Sequence, residues 1–446
     1  MTLPTPGPIS GPTPEAISGP APGADQPSAG DQPLRVSTLE LFFDLVFVFA
    51  ITQLTGILAE EMTVTGALRV LLVFGVLWWM YGGYVWLSNA RTPARTPERL
   101  LMLVGMAGFL IMGLAIPHAF GRDGVALGLG YLIVVVIHAW LYQRVNRNIA
   151  RVAPFNLAAA LLVIGAGLVQ GDGEAGGPAA YGLWAAALAV QVLSPLVLPV
   201  RGRFAIQPSH FTERHGALVI IVFGESVVDI GIGAGGHAVT FSLALSAALG
   251  LALTAALWWT YFGAGDDERA ERAMTLADPA ARPALALAAY FYAYIPMLVG
   301  VVALAAGLKQ AIVHTGATLP AGPCVALACG VALFLAGNAA FRHALRIGTQ
   351  RSRAVAAAAA LAASAVGVTW SVAAEIALLT AIVAVALVAD RPSVPPGRAL
   401  AGGSGGVVPP GRALAGGSGG VVPPGRALAG GSGGVVPPGQ HSTVEP

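Results

Sequence analysis

Twelve apolar runs follow one another through the middle of the chain, and they constrain its fold more than any other feature. A helix crosses the roughly 30 Å hydrocarbon core of a bilayer with about 20 apolar residues, because each residue adds about 1.5 Å. The last two runs would measure roughly 55 Å as one helix, so we place a break near Trp370. The runs lie at 39–59, 66–88, 100–119, 125–142, 153–170, 179–199, 216–236, 241–262, 284–307, 321–341, 353–370 and 372–389.

The scarcity of charge agrees with a lipid environment. Charged residues make up 10% of the chain and hydrophobic residues 56%, whereas a soluble domain carries about 25% charged residues. A protein surface built from so few charged residues is better suited to contact with lipid than with water, so the expected partner is the bilayer. A net charge of +2 gives no reason to expect a nucleic-acid partner. The sequence therefore predicts an all-α integral membrane protein with about twelve transmembrane helices.

The loop charges predict an orientation. If the N-terminus is cytoplasmic, the outer loops carry only Arg122 and Lys309, and the basic clusters alternate correctly with the spans, as the positive-inside rule requires. Both termini are then cytoplasmic. The predicted inner clusters are Arg91, Arg95 and Arg99; Arg144, Arg147 and Arg151; Arg201, Arg203 and Arg214; Arg269, Arg272 and Arg282; and Arg342, Arg346, Arg351 and Arg353.

The composition of both ends differs from that of the middle. Residues 1–34 are rich in Pro, Gly and Ser, and residues 391–446 contain three identical copies of GRALAGGSGGVVPP, at 397–410, 411–424 and 425–438. Segments of this composition cannot bury a core. We predict that both are disordered tails.

An internal repeat divides the spans into two sets of six. The sequence LWWMY at 77–81 recurs as LWWTY at 257–261, an offset of 180, and Ile-Pro at 116–117 recurs at 295–296, an offset of 179. Because six is even, the two halves, 35–212 and 213–390, are predicted to be parallel pseudo-repeats. Transporters built this way bind their substrates between the halves.

The first span of each half carries two acids four residues apart. Glu40 and Asp44 share a helix face near the cytoplasmic side, where the helix macrodipole alone can explain them. Glu225 lies about 13 Å into span seven, near the midplane, and Asp229 follows one turn later. A buried structural ion pair and a role in ion or proton handling both remain open for this pair, because a charge at that depth needs a partner or water.

Few other polar groups lie inside the spans. His138 in span four suits either a proton relay or a backbone hydrogen bond, while Arg214 and His215 lie at the start of span seven. An interfacial aromatic belt is expected to hold the outermost members of the tryptophan and tyrosine clusters. The candidate polar or ion site comprises Glu40, Asp44, His138, Arg214, His215, Glu225, Ser226 and Asp229.

No motif predicts catalysis, a cofactor or a metal. The chain lacks HExxH, GxSxG and the P-loop, so we expect a protein that is not an enzyme. Cys324 and Cys329 lie in an apolar stretch without further ligands nearby, so we interpret them as buried apolar residues.

Two of the segments above also carry a family resemblance. ELFFDLVFVFA at 40–50, and ERHG at 213–216 followed by IIVFGES at 220–226, resemble the two signature segments of the bacterial low temperature requirement A proteins. The resemblance covers roughly 36–390. It implies a multi-pass protein of the bacterial cytoplasmic (inner) membrane and no defined biochemical activity. It also leads us to expect a small or apolar residue at 229, where this chain has Asp229.

Three functional hypotheses follow. The first is an ion-coupled secondary transporter for a small solute or ion, with Glu225 and Asp44 facing a shared polar cavity. The second is a cation channel whose pore is lined by small and aromatic residues. The third is a structural or regulatory membrane protein in which the acids only hold helices together.

Overall fold

A computed structural model describes residues 36–390 apart from 92, 94, 146–148, 171–175, 198–205 and 315. Both predicted tails, 1–34 and 391–446, lie outside the described residues. By its contacts the chain divides into two units, Met1–Arg391 and Pro392–Pro446, and the second unit lies wholly outside the described part.

The described residues form α-helices and no β-strand, which confirms the all-helical prediction. Short 3-10 or π segments at Ile116–His118, Trp259–Gly263 and Leu287–Tyr292 extend or connect the helices. The helices are α1 Thr38–Glu60, α2 Val64–Ala90, α3 Thr96–Ala115, α4 Gly124–Tyr142, α5 Ile149–Gln170, α6 Pro178–Val197, α7 Pro208–Gly233, α8 Phe241–Trp258, α9 Asp266–Leu276, α10 Arg282–Ala286, α11 Tyr294–Ala311, α12 Ala321–Leu345, α13 Arg351–Thr369 and α14 Val372–Ala389.

Eleven helical stretches of the described part are long and apolar enough to cross a membrane. They coincide with eleven of the predicted spans, and α6 occupies most of the remaining one. The predicted break near Trp370 is present, since α13 ends at Thr369 and α14 begins at Val372. A multi-pass helical membrane architecture is therefore confirmed.

Small polar residues fix where several helices begin. Ser37, Thr63, Thr240 and Ser371 precede α1, α2, α8 and α14, and each hydroxyl accepts a hydrogen bond from a backbone N–H of the first turn. Such caps satisfy N–H groups that have no partner inside the helix. At α1 the cap is reciprocal, because the Glu40 carboxylate accepts from the Ser37 backbone N–H at 2.8 Å.

The same order of helix packing occurs twice along the chain. In the first half, α1 contacts α2 and α3. Each helix from α3 to α6 contacts the next one, and α6 also contacts α2. In the second half, α7 contacts α8 and α11. Each helix from α11 to α14 contacts the next one, and α14 also contacts α8. The α11–α12 contact is especially close, because a Cβ on Gly300 would lie 2.7 Å from the Gly330 carbonyl oxygen.

The two halves meet where α1 and α2 contact α7 and α11. Trp78 of α2 lies in this region and donates from its Nε1 to the carbonyl oxygen of Phe291 at 3.1 Å. Trp78, Tyr81, Tyr84 and Tyr261 are all buried and therefore belong to the core and not to an interfacial belt. Trp258 and Trp259 are exposed, as the belt interpretation expects.

Candidate functional site

Helix α7 begins at Pro208, eight residues before the predicted start of span seven at 216. Its first two turns are polar, so an apolar pattern could not reveal them, although Pro at the first helical position is a typical start. Glu225 consequently lies about two turns before the C-terminal end of α7 at Gly233. The predicted boundary between the halves, 212–213, falls inside this helix.

Both acids of the first pair bind the same arginine. The Arg214 guanidinium binds Glu40 Oε1 at 3.0 Å and Asp44 Oδ1 at 3.1 Å, and it is also hydrogen-bonded to Ser88. Tyr81 donates to Asp44 Oδ1 at 2.9 Å. Glu40, Asp44 and Arg214 are fully buried. This arrangement fits the structural interpretation of the pair, since each buried charge has an opposite charge and hydrogen bonds.

His210 completes this first charge cluster, and the sequence analysis did not identify it. Asn89 is fixed by two hydrogen bonds with the backbone of Gln207, each 3.0 Å long, so that its amide nitrogen faces His210 Nδ1 at 3.2 Å. His210 Nδ1 must then accept, which leaves the proton on Nε2, 3.1 Å from Glu40 Oε1. His210 lies one turn before Arg214, and a helix extended to 208 would have predicted it.

The second acid pair has different surroundings. The Thr52 hydroxyl of α1 donates to Glu225 Oε2 at 2.7 Å. Asp229 follows Glu225 one turn later on the same face of α7, and the two carboxyls interact electrostatically. Neighbouring buried carboxyl groups disfavour a second negative charge unless one of them holds a proton or a cation binds beside them. Glu225 is 5% exposed and Asp229 1% exposed, so neither carboxyl faces lipid.

No described cation forms an ion pair with Glu225 or Asp229. Lys309 of α11 exerts an electrostatic effect on both carboxyls but lies beyond ion-pairing distance. Glu225 Oε1, Asp229 Oδ2 and the buried Ser226 Oγ have no hydrogen-bond partner among the described donors. The site therefore has oxygen atoms without a neutralising charge, a composition suited to a proton or a small cation.

The remaining predicted residues lie away from the acids. His215 bonds through Nδ1 to the Phe211 carbonyl at 2.8 Å, and its ring packs against Tyr290 and Tyr294. His138 is buried between Tyr84 and Tyr142 in the first half. Asp44 and Thr52, the α1 residues that contact the two clusters, are about two turns apart on that helix, so Asp44 and Glu225 occupy separate clusters.

A third charge cluster in the second half was not predicted as a cluster. Asp266, at the start of α9, binds Arg342 at 2.7 Å and Asn338 at 3.2 Å. Arg342 and Arg353 bind Asp390, just after α14, at 2.8 and 3.0 Å. The sequence analysis assigned both arginines to cytoplasmic loops, yet they are 2% and 0% exposed, because α12 and α13 include them. Opposite charges at the ends of four predicted helical segments were the available signal.

Glu375 of α14 is another buried acid that the sequence analysis missed. Its two carboxylate oxygens have no nitrogen or oxygen partner among the described residues, and the Cys324 thiol lies beside them. Cys324 is buried, as expected of an apolar position, whereas Cys329 is only half-buried, so the prediction is wrong for that cysteine. Across the described residues, no group of three or more His, Cys, Asp or Glu side chains is positioned to hold a metal ion.

Residues 35–389 match the family of bacterial low temperature requirement A proteins. The chain belongs to this family. The segments that carry the resemblance, 40–50 and 213–216 with 220–226, lie on α1 and α7, which pack against each other and carry both acid pairs. The family's name does not describe a reaction.

One relative is an uncharacterized protein of Rhizobium meliloti. The chain is 28% identical to it over 314 residues, which cover 68% of this chain and 76% of the relative. The similarity agrees with the family assignment, and it does not indicate a biochemical activity because the relative is itself uncharacterized.

Proposed function

We propose that this low temperature requirement A protein is an ion-coupled secondary transporter, and that Glu225 and Asp229 bind the coupling proton or cation. One observation carries the proposal: two buried carboxyl groups lie side by side inside a spanning helix without a described ion pair. Buried carboxyls in a membrane helix are costly unless they are protonated or bind a cation. A reversible change between these two states is what ion coupling requires.

The surroundings of the pair support reversible occupancy. Thr52 supplies a hydroxyl to Glu225 from a second helix, so that movement of α1 relative to α7 changes the set of oxygen ligands. Lys309 acts on both carboxyls electrostatically, yet it forms no described ion pair with either and so leaves them without a fixed counterion. A permanent ion pair would hold the site in one charge state.

The repeated packing order of the two halves is a second, independent reason to propose a transporter. Parallel repeats give a bundle whose halves can move as bodies around a shared interface. Helices α1 and α7, the first of each half, form part of that interface and contain the candidate ion site. We infer a bacterial inner-membrane location with both termini cytoplasmic; the alternation of basic loops supports the orientation, and membership of a bacterial family supports the location.

Flux measurements on the full chain in proteoliposomes test the proposal. Vesicles containing a pH-sensitive dye are exposed to imposed proton, sodium or potassium gradients. A saturable, gradient-driven flux is expected, and Glu225→Gln or Asp229→Asn should lower it at least about tenfold while folded yield is retained, because the carboxylate charge is lost. Glu375→Gln, at a buried acid elsewhere, is the matched control and should keep the flux.

The same vesicles separate the rival functions. A large conductance that neither saturates nor couples to a second gradient would favour a cation channel. Absence of any flux from well-folded protein, or full flux from a folded Glu225→Gln, Asp229→Asn double variant, would contradict the assignment of this site and favour a structural or regulatory role.

A further inference from the structure

The single hydroxyl of Thr52 lies within hydrogen-bonding distance of two acceptors. Its Oγ1 is 2.7 Å from Glu225 Oε2 and 3.2 Å from the carbonyl oxygen of Val48, one turn earlier on α1. A hydroxyl has one proton to donate but can also accept, whereas a backbone carbonyl can only accept. When Thr52 donates to Val48, Glu225 must therefore be the donor in the 2.7 Å contact, and its carboxyl must hold a proton.

These three groups can satisfy Glu225 in both of its charge states. With the carboxylate ionised, the Thr52 hydroxyl donates to Oε2. With the carboxyl protonated, Oε2 donates to Thr52 and Thr52 donates to Val48. A separation of 2.7 Å is ordinary for an O–H···O hydrogen bond in either direction. Rotation of one hydroxyl exchanges the two arrangements, so neither charge state leaves this buried contact without a donor.

The site offers a metal cation few ligands. Glu225 Oε1, Asp229 Oδ2 and Ser226 Oγ are closed off from water-sized space by the surrounding described residues. Metal cations in transporters are commonly coordinated by backbone carbonyls that a broken helix sets free. Helix α7 is continuous over Pro208–Gly233 and α1 over Thr38–Glu60, so neither helix has such a break beside these acids. A proton needs no cavity, because it becomes part of the carboxyl group.

The charged groups that act on Glu225 oppose each other. Asp229, one turn later on α7, disfavours a second negative charge, whereas Lys309 of α11 favours the ionised form. Helix α8 also packs on α7 and has no titratable side chain. The buried acids of α1 and the polar groups of α2 belong to the first charge cluster around Arg214, about three turns before Glu225. The buried acid of α9, Asp266, belongs to the third charge cluster.

We propose that the coupling ion is a proton, and that Glu225 binds it on Oε2 while Thr52 changes from donor to acceptor. This assignment of the ion rests on the proposed function, because it names what the same site couples to transport. Binding forms one O–H bond on Glu225 with a proton taken from water, and no group is oxidised or reduced. Release reverses the step, and Thr52 again donates to the carboxylate.

Infrared difference spectra of the full chain in lipid vesicles test the proposal, because a protonated carboxyl has a carbonyl stretching band that an ionised carboxylate lacks. Raising the pH at constant salt should remove such a band reversibly. Replacing choline chloride by sodium, potassium or magnesium chloride at constant pH should leave the band unchanged. Removal of the band by one of these metal salts at constant pH, or the lack of any pH-dependent carboxyl band, would overturn the proposal.

Variants assign the band. Glu225→Gln should remove it, and Glu375→Gln, at a buried acid elsewhere, should retain it. Thr52→Val deprives the protonated carboxyl of its acceptor and should shift the band, whereas Thr52→Ser keeps a hydroxyl and should leave the band in place. Persistence of the band in folded Glu225→Gln would overturn the assignment. If Glu225→Gln does not fold, the two Thr52 variants carry the test, and equal spectra from them would overturn it.

The spectra also separate proton binding from transport, since they detect protonation whether or not a solute moves. A pH-dependent Glu225 band without any flux would contradict the proposed function and uphold the proton as the bound ion. Sodium-driven flux together with removal of the band by sodium would support transport and overturn the proton as the coupling ion.

Discussion

The two acid pairs have the same four-residue spacing on two helices that pack together, yet their electrostatic surroundings are opposite. Glu40 and Asp44 share Arg214, and His210, Tyr81 and Ser88 provide further hydrogen bonds. Glu225 accepts a hydrogen bond from the Thr52 hydroxyl, and no described cation is ion-paired with Glu225 or Asp229. The four-residue spacing alone therefore does not distinguish an acid in a permanent ion pair from one that reversibly binds a proton or cation. The difference lies in whether a cation is fixed beside it.

The largest expected effect comes from removing the fixed cation. Arg214→Met leaves two buried carboxylates without a counterion and should lower the free energy of unfolding by about 3–5 kcal/mol. Lys309→Met is the matched control near the other pair, and it should change stability by less than about 1 kcal/mol because Lys309 forms no described ion pair there. Denaturation midpoints in detergent measure both. Equal stability of the two variants would remove the distinction between the clusters.

A smaller effect is expected from His210→Phe. The variant keeps the ring volume but removes the donor to Glu40 and the acceptor facing Asn89, so it should cost about 1–3 kcal/mol. Transport activity per folded molecule should remain, because the first cluster is structural in this interpretation. A stable His210→Phe protein with lost flux would place the first pair in the transport mechanism.

The smallest effect on stability, and the most selective effect on function, is expected from Thr52→Val. It removes the hydroxyl donor of Glu225 at a cost of about 1 kcal/mol, and it should shift the cation or proton concentration that gives half-maximal flux. Thr55→Val is matched to it on the same helix, because the Thr55 hydroxyl bonds only to the Ile51 carbonyl among the described groups. Equal shifts for the two variants would contradict a ligand role for Thr52.

The sequence predicted the helices better than it predicted the polar contacts between them. Apolar length is a local property, so the spans and the break near Trp370 could be recognised residue by residue. The start of α7 could not be recognised in this way, because its first two turns are polar and are stabilised by groups on α1 and α2. His210 was missed for that reason alone.

The charged residues show the same limit. Arg214, Arg342 and Arg353 were all assigned to the predicted cytoplasmic side of the membrane, yet each is buried against carboxylates. The positive-inside rule depends on where a basic residue lies along the chain, and it contains no information about which acidic residue that side chain pairs with. Pairing depends on the tertiary contacts, and the separation between Arg214 and Glu40 is 174 residues.

That separation has a consequence for synthesis. At about 5–20 residues per second, the ribosome takes roughly 10–35 s to reach Arg214 after it has made Glu40. During that interval the nascent α1 contains both acids while their counterion does not yet exist, so the translocon and the membrane surface must accommodate them in protonated or hydrated form. The first acid pair thus reaches its final pairing only after the seventh helix has been made. Arg214 is a late contact in synthesis, and it joins the first helix of one half to the first helix of the other.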